Sequence, residues 1–550
     1  LSLHDALPIY LIDSYLDIFP DRKEQLLFGE REYTYFDSPA RVLPRSEKYV
    51  ISGGQVRQYG ALVHDEEKMA KFGLTLKSTN WLKTGHGSGE LYKTTLFVKL
   101  LSLGLVKFAT LDPFGMGVEM EANKPGWNDA MNGLPGLFGS GMSETFELKR
   151  LLRFVLESCV EAAGDGREVS VPEEIAALLS EVGTLLEARL AGNLEPFAYW
   201  DRVAAAREKY REAIRFGISG TETALEIGAI GKLAARMLEQ IERGIQEAIK
   251  LGDGVTPTYF AFEAVEFEPV TDAQGTPVIS GYGLPKAVVK KFAVRPLPHF
   301  LEGPARWLKT IEDRGEAKRT YEQIRRSDLF DARLQMYKTS VSLDAETHEI
   351  GRIRAFTPGW LERESVFLHM SYKYLLALLK SGLTEEFFAE LRTSLIPFLD
   401  PAVYGRSTLE NSSFIATSVN PDPDTHGRGY VARLSGSTAE FLSMWMTMMA
   451  GKRVFRLHEG KLRLELHPLL PGWLFDEQGE VSFRFLGTTE VVYRNPQKKA
   501  TFGPDAAEIA RLVVHKQDGT EHVIDGSAID GPLAEEIRGG AVRRIEAELA

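Results

Sequence analysis

The densest set of chemically capable side chains lies in the stretch DPFGMGVEMEANKPGWNDAMNG, from Asp112 to Gly133. Four carboxylates fall there, Asp112, Glu119, Glu121 and Asp129, beside Trp127. The glycines and prolines between them argue for a loop rather than a helix. Glycosidic cleavage needs an acid to protonate the leaving oxygen, and an aromatic face suits the C–H surface of a sugar. By pattern alone the stretch is equally an acidic surface loop with structural glycines. Two further places could bind an anion. His369 lies in the apolar run SVFLHMSYKYLLALL, where a histidine is ordinarily a core residue. Ser435 and Gly436 open a helix, which is ordinarily just a cap, but free N–H groups and the helix dipole there also suit an anion. Arg433 and Arg428 stand close enough in sequence to assist.

Three motifs carry a family resemblance. GWNDAMN at Gly126–Asn132 resembles the DWND(G/C)LN motif of glycoside hydrolase family 94, the cellobiose and chitobiose phosphorylases. ERESVFLH at Glu362–His369 resembles the family's ENGG(I/V)(F/Y)NH, and LSGSTAEF at Leu434–Phe441 its (S/T)G(T/A)A(G/A)W. The order of the three, and the spacing between His369 and Ser435, are close to what the family has. The resemblance implies that Asp129 is the general acid and that Trp127 and Glu362 touch sugar, with Trp360 as the best further sugar contact. It implies that His369, Ser435 and Gly436 hold phosphate, and Arg433 is the candidate to assist them by its place in sequence. The reaction implied is reversible phosphorolysis of a β-linked glucoside or oligoglucan with inversion, giving a sugar 1-phosphate, a hexosyl transfer with inorganic phosphate as co-substrate. Gly126 replaces the first Asp of the acid motif, and Glu364 and Ser365 replace the paired glycines, so the backbone there is expected to differ. The altered stretch PGWLERESVFLHMSYKY, with an insertion at Thr256–Arg306, points to a divergent branch nearer the β-1,3-glucan phosphorylases of family 161. An inverting hydrolase or transglycosidase with Glu364 or Glu144 as base is the rival reading, and a catalytically inactive glycan-binding fragment a third.

The elements that must position these residues read mainly as helix. Leu91–Val106 has helical spacing, and Ser143 reads as the cap of the next helix. From Pro172 to Leu251 apolar residues recur at i, i+3, i+4 and i+7 with charges between. Helices resume near Tyr321 and are expected over Glu362–Ser381, Glu385–Ile396 and Thr438–Ala450. The family resemblance implies an (α/α)6 barrel, of the six-hairpin glycosidase kind, over residues 10–452. A β-containing insertion is expected at about 254–306, and a β-rich antiparallel sandwich over 453–550. Tyr10 to Lys71 reads as short strands and loops. Residues 1–9, LSLHDALPI, resemble a one-frame translation of a sequencing adapter, so the native chain is expected to start near Tyr10 and to lack its N-terminal part.

Bulk composition limits the partners. A net charge of −12 argues against nucleic acid, which needs a basic surface. A single cysteine, Cys159, excludes an internal disulfide framework and reads as a small core residue. The apolar runs are too short to cross a bilayer, and a cytoplasmic location is expected. No spacing of His, Asp or Glu makes a metal site, and no cofactor is expected. The resemblance adds a homodimer. Of the remaining tryptophans, Trp81, Trp200, Trp307, Trp445 and Trp473 read as core, and His426 as part of a surface turn.

Overall fold

A computed structural model of the chain describes residues 7–121, 126–164, 166–432 and 436–550, with side chains from residue 11 onward. It is 41 % helical with 23 % strand, a mixed α/β structure with several small sheets where a mainly helical one was expected. The long helices of the first half are Leu96–Phe108, Met142–Ala162, Glu173–Leu190, Pro196–Ala213 and Ile227–Leu251. Ile227–Leu251 buries Ile230, Ala234, Met237, Ile241, Ile245 and Ala248, one stripe at helical spacing, and lays it along Met142–Ala162. Cys159 is buried in that contact, which pushes its thiol up to about 11, so it is an inert core residue.

In the second half Leu368–Lys380 is buried on nearly every side and packs against Gly436–Ala450, Thr384–Ser394 and Glu302–Leu308. Two large apolar cores result, one in each half of the chain. A third, small core of Met120, Ala130, Met131, Leu134, Ile350 and Ile353, with others, lies beneath the candidate acid.

Several local expectations are corrected. The N-terminal region, expected as short strands and loops, opens with a helix, Leu7–Leu16, while residues 1–6 lie outside the described residues. A second helix there, Glu66–Phe72, is capped by the Asp65 side chain. The helix expected from Leu91 starts at Leu96, because Leu91 and Thr94 pair their backbones with Lys83 and Tyr33. Ser143 caps nothing: the helix already begins at Met142, and the buried Ser143 hydroxyl has no hydrogen-bond partner among the described residues. The helix expected from Glu362 begins at Leu368, since Trp360 and Arg363 close a tight backbone bridge and Leu361 and Glu364 have positive φ.

Residues 254–306 contain a hairpin of Tyr259–Pro269 with Ala287–Pro296. Its first strand pairs with Ser140–Gly141, which pairs with Val118–Glu119, so this sheet braces the acid-bearing loop. Residues 453–550 hold a three-stranded sheet and a five-stranded one. The latter is not wholly antiparallel: Thr489–Arg494 runs parallel to Val542–Leu549. The long connection between those two strands is what a parallel pair needs. Among the described residues no helix is long and apolar enough to cross a membrane.

Candidate functional site

The four carboxylates of the acid-bearing loop have different fates. Asp112 is buried and accepts hydrogen bonds from the backbone N–H groups of Phe114, Met116 and Gly117 at 3.0, 3.0 and 2.6 Å and from the Ser140 hydroxyl at 2.8 Å. Burial pushes its carboxyl up to about 6 against these donors. Glu119 accepts from the Trp200 indole at 2.6 Å and from Arg207 at 3.1 Å. Glu121 pairs with Arg211 at 2.8 Å; burial alone would raise it, but Arg211 and Lys48 outweigh that and hold it at about 2. These three shape the loop. Asp129 is exposed and has no hydrogen-bond or ion-pair partner among the described residues.

The position of Asp129 is nonetheless firmly set. It opens a short 3-10 turn, Asp129–Met131, capped by the Asn128 side chain accepting from Ala130 N at 3.1 Å. Ala130 and Met131 are fully buried in the small third core. Asn132 Oδ1 accepts from Arg352 N at 3.0 Å, and Gly133 N donates to Ile350 O at 3.2 Å. The carboxylate therefore stands on a rigid pedestal while its own surroundings are open.

The next residues of the site converge. Trp127, half-buried, meets Phe367 edge-on with ring centroids 5.0 Å apart and His369 at 6.2 Å. His369 lies in the first turn of Leu368–Lys380, and its other side faces Gly436, the first residue of Gly436–Ala450. A Cβ at Gly436 would lie 2.2 Å from imidazole atoms, so only glycine lets the ring lie against that helix start. His369 Nε2 is 3.8 Å from Glu440, which accepts from Lys373 at 2.6 Å. Burial and then the Lys373 charge push the imidazole down to about 3, so it is neutral near pH 7. Burial would raise Glu440, but Lys309 and Lys373 hold it at about 2. Behind them Arg306 bridges Glu302 at 3.1 Å and Glu147 at 2.6 Å.

The substitutions within the motifs also have places. Gly126 sits at φ 80°, where a side chain is strained, and a Cβ there would lie 2.8 Å from Glu144 Oε1. Glu144 is half-buried with one carboxylate oxygen out of reach of solvent, and desolvation and Glu302 push its carboxyl up. Glu364 is buried at φ 55°, the left-handed region that glycine favours. A glycine would therefore fit the backbone at 364. Lys338 and Arg363 each lie 3.8 Å from its carboxylate.

Other expected residues stand apart from this convergence. Trp360 is half-buried between Phe414 and Tyr430, with centroids 4.9 and 4.5 Å away. Glu362 is half-buried close by in sequence. Ser435 and Arg433 lie outside the described residues. Arg428 is exposed, and His426 is held in its turn by Asn420 O at 2.8 Å and Arg333 at 3.1 Å. Trp200 and Trp307 are buried, but Trp81, Trp445 and Trp473 are 45, 38 and 42 % exposed and are not core residues.

Sequence reading missed Lys373, Glu440 and Asn411. The first two were within reach, because each stands four residues after a motif residue, His369 or Gly436, on the same helix face. Asn411, whose amide donates to the Ser437 hydroxyl beside the helix start, gave no local signal. Among the described residues no group of His, Cys, Asp or Glu could hold a metal ion. No protein-family model matches the chain, and no curated protein matches it significantly.

Proposed function

We propose that the chain is part of an inverting β-glucoside phosphorylase related to glycoside hydrolase family 94, built on an (α/α)6 barrel. The observation that carries this reading is the meeting of Trp127, His369 and Gly436, one residue from each of three motifs far apart in sequence. An acid-bearing turn, an aromatic ring, an imidazole and a helix N-terminus then share one corner, as phosphate attack on a sugar requires. Asp129 gives its proton to the interglycosidic oxygen, and that bond to the anomeric carbon breaks. A phosphate oxygen bonds to the same carbon from the opposite face, so the products are an inverted sugar 1-phosphate and a shortened saccharide.

The dipole at the start of Gly436–Ala450 and the His369 ring hold the phosphate, with Ser435 assigned to it by resemblance and Arg433 as a charge-assisted helper. Trp127 presents its face to the donor sugar, and Glu362 and Trp360 extend the saccharide site. Because Asp129 is exposed, the water exclusion that a general acid needs must come from the bound saccharide rather than from the chain. The same reading carries a cytoplasmic location and a homodimer. The hydrolytic alternative is favoured by one feature, the half-buried Glu144 carboxyl against Gly126, next to Trp127.

Incubating the chain with cello- and laminari-oligosaccharides, with and without inorganic phosphate, separates the readings. Sugar 1-phosphate formed only when phosphate is present supports the phosphorylase. Free sugar released without phosphate would overturn it in favour of hydrolysis, and saccharide binding with no turnover would favour a glycan-binding fragment.

A further inference from the structure

A cavity of about 510 Å³, lined by none of the residues of the corner just described, lies between the Phe36–Pro44 segment and the end of helix Pro196–Ala213. Its walls are heavily charged, yet the charge is compensated within the protein. Lys68 is buried and paired with Asp37. Arg215 donates to both oxygens of Asp65, at 2.6 and 2.8 Å. Arg41 lies 3.7 Å from Asp65 and 3.7 Å from Glu212, and Arg211 is held by Glu121 at 2.8 Å. Lys209 pairs with Glu181 at 3.4 Å. No cation of the lining is left over for an anion. The cavity offers fixed donors and acceptors side by side instead.

Its rim is aromatic. Phe36 lines the cavity and is 58 % exposed, and Trp81 is 45 % exposed. The two are backbone partners: Asp37 N donates to Asn80 O and Leu82 N to Tyr35 O, so Phe36 and Trp81 form the non-hydrogen-bonded pair of a short antiparallel bridge. In that register the two side chains leave the same face at close range. Two large rings exposed together lose nothing by being covered and present flat apolar area beside polar groups. A neutral, many-hydroxylated ligand with apolar C–H faces matches both halves: hydroxyls against the ion pairs, ring faces against Phe36 and Trp81.

We propose that this cavity, lined by none of the residues of the Trp127 corner, is a second glycan-binding site that takes an uncharged oligosaccharide. The site holds saccharide without chemistry: of its lining carboxylates Asp37, Asp65, Glu208 and Glu212 are engaged in ion pairs, and Glu47 stands exposed. It stands independently of the reaction proposed for the Trp127 corner, because its evidence is the cavity, the charge balance and the aromatic pair.

The test is calorimetric titration of the full chain with laminarihexaose and with cellohexaose in a Trp127→Ala background. At least one hexasaccharide is expected to bind that variant. Adding Phe36→Ala or Trp81→Ala is expected to weaken binding about tenfold or more, while Phe36→Tyr preserves it. Both aromatic residues are exposed, so the melting temperature should stay within about a degree or two and a folding defect is excluded by that measurement. Unchanged affinity in both alanine variants would overturn the proposal, as would loss of all hexasaccharide binding on Trp127→Ala alone. Competition by inorganic pyrophosphate would also overturn it, because the cavity would then prefer anions. Sugar 1-phosphate release reports on the other corner, so the two ideas fail separately.

Discussion

Two charged regions of this molecule differ in how their charges are arranged. At the Trp127–His369–Gly436 corner a helix N-terminus, whose first N–H groups have no intrahelical partner, faces a neutral imidazole, with Lys309 and Lys373 close behind. In the cavity beside Phe36 the start of helix Glu66–Phe72 is already capped by the Asp65 side chain, and each cation is matched by a carboxylate. The first region suits an added negative charge and the second a neutral polyol. Counting charged residues would not separate them; pairing does.

The strongest break in the comparison is at Asp129. Asp129→Asn should reduce phosphorolysis about 10²–10⁴-fold, the usual worth of a general acid. It should leave the melting temperature unchanged, because the side chain has no partner among the described residues. Equal loss of stability and activity would instead make it a structural residue like Asp112.

Gly436→Ala should act next most strongly. The added methyl would meet the imidazole at 2.2 Å, so either the ring or the helix start must move. Inorganic phosphate should raise the melting temperature of the unsubstituted chain by binding its native state, and this protection should vanish in the variant. Protection that survives would move the anion site elsewhere.

A smaller effect concerns pH. The unfolded chain's imidazole binds a proton below about 6.5, whereas burial and Lys373 keep His369 neutral in the fold down to about 3. The stability it contributes is therefore intact above pH 6.5 and is lost as the pH falls from 6.5 toward 3. His369→Gln should flatten the melting-temperature profile over that interval; an identical slope would mean that the ring is protonated in the fold. Smallest of all, Lys209→Ala removes an exposed pair with Glu181 in the cavity wall and should cost under about 1 kcal/mol.

Much of this was legible from residue order. Periodic apolar stripes located the long helices, and the GWND stretch, His369 and Gly436 were singled out by type and motif. Less legible were the places where distant backbone competes with local propensity. Leu91–Thr94 carries a helical pattern yet pairs with Lys83 and Tyr33, and Ser143 looks like a cap yet arrives one residue too late. Trp81 looks like core and is exposed, because whether a tryptophan is covered depends on a partner elsewhere in the chain.

The sequence by itself determined the chemical inventory: an acid beside an aromatic ring, a histidine, and a glycine at a helix start, in a fixed order. Tertiary structure alone decided which of four similar carboxylates is available. Asp112, Glu119 and Glu121 are consumed by backbone amides, an indole and guanidinium groups, all but the amides contributed by segments distant in sequence, and Asp129 is not. The physical reason is that local propensity acts within a few residues, whereas desolvation and ion pairing depend on which surfaces the completed fold brings together.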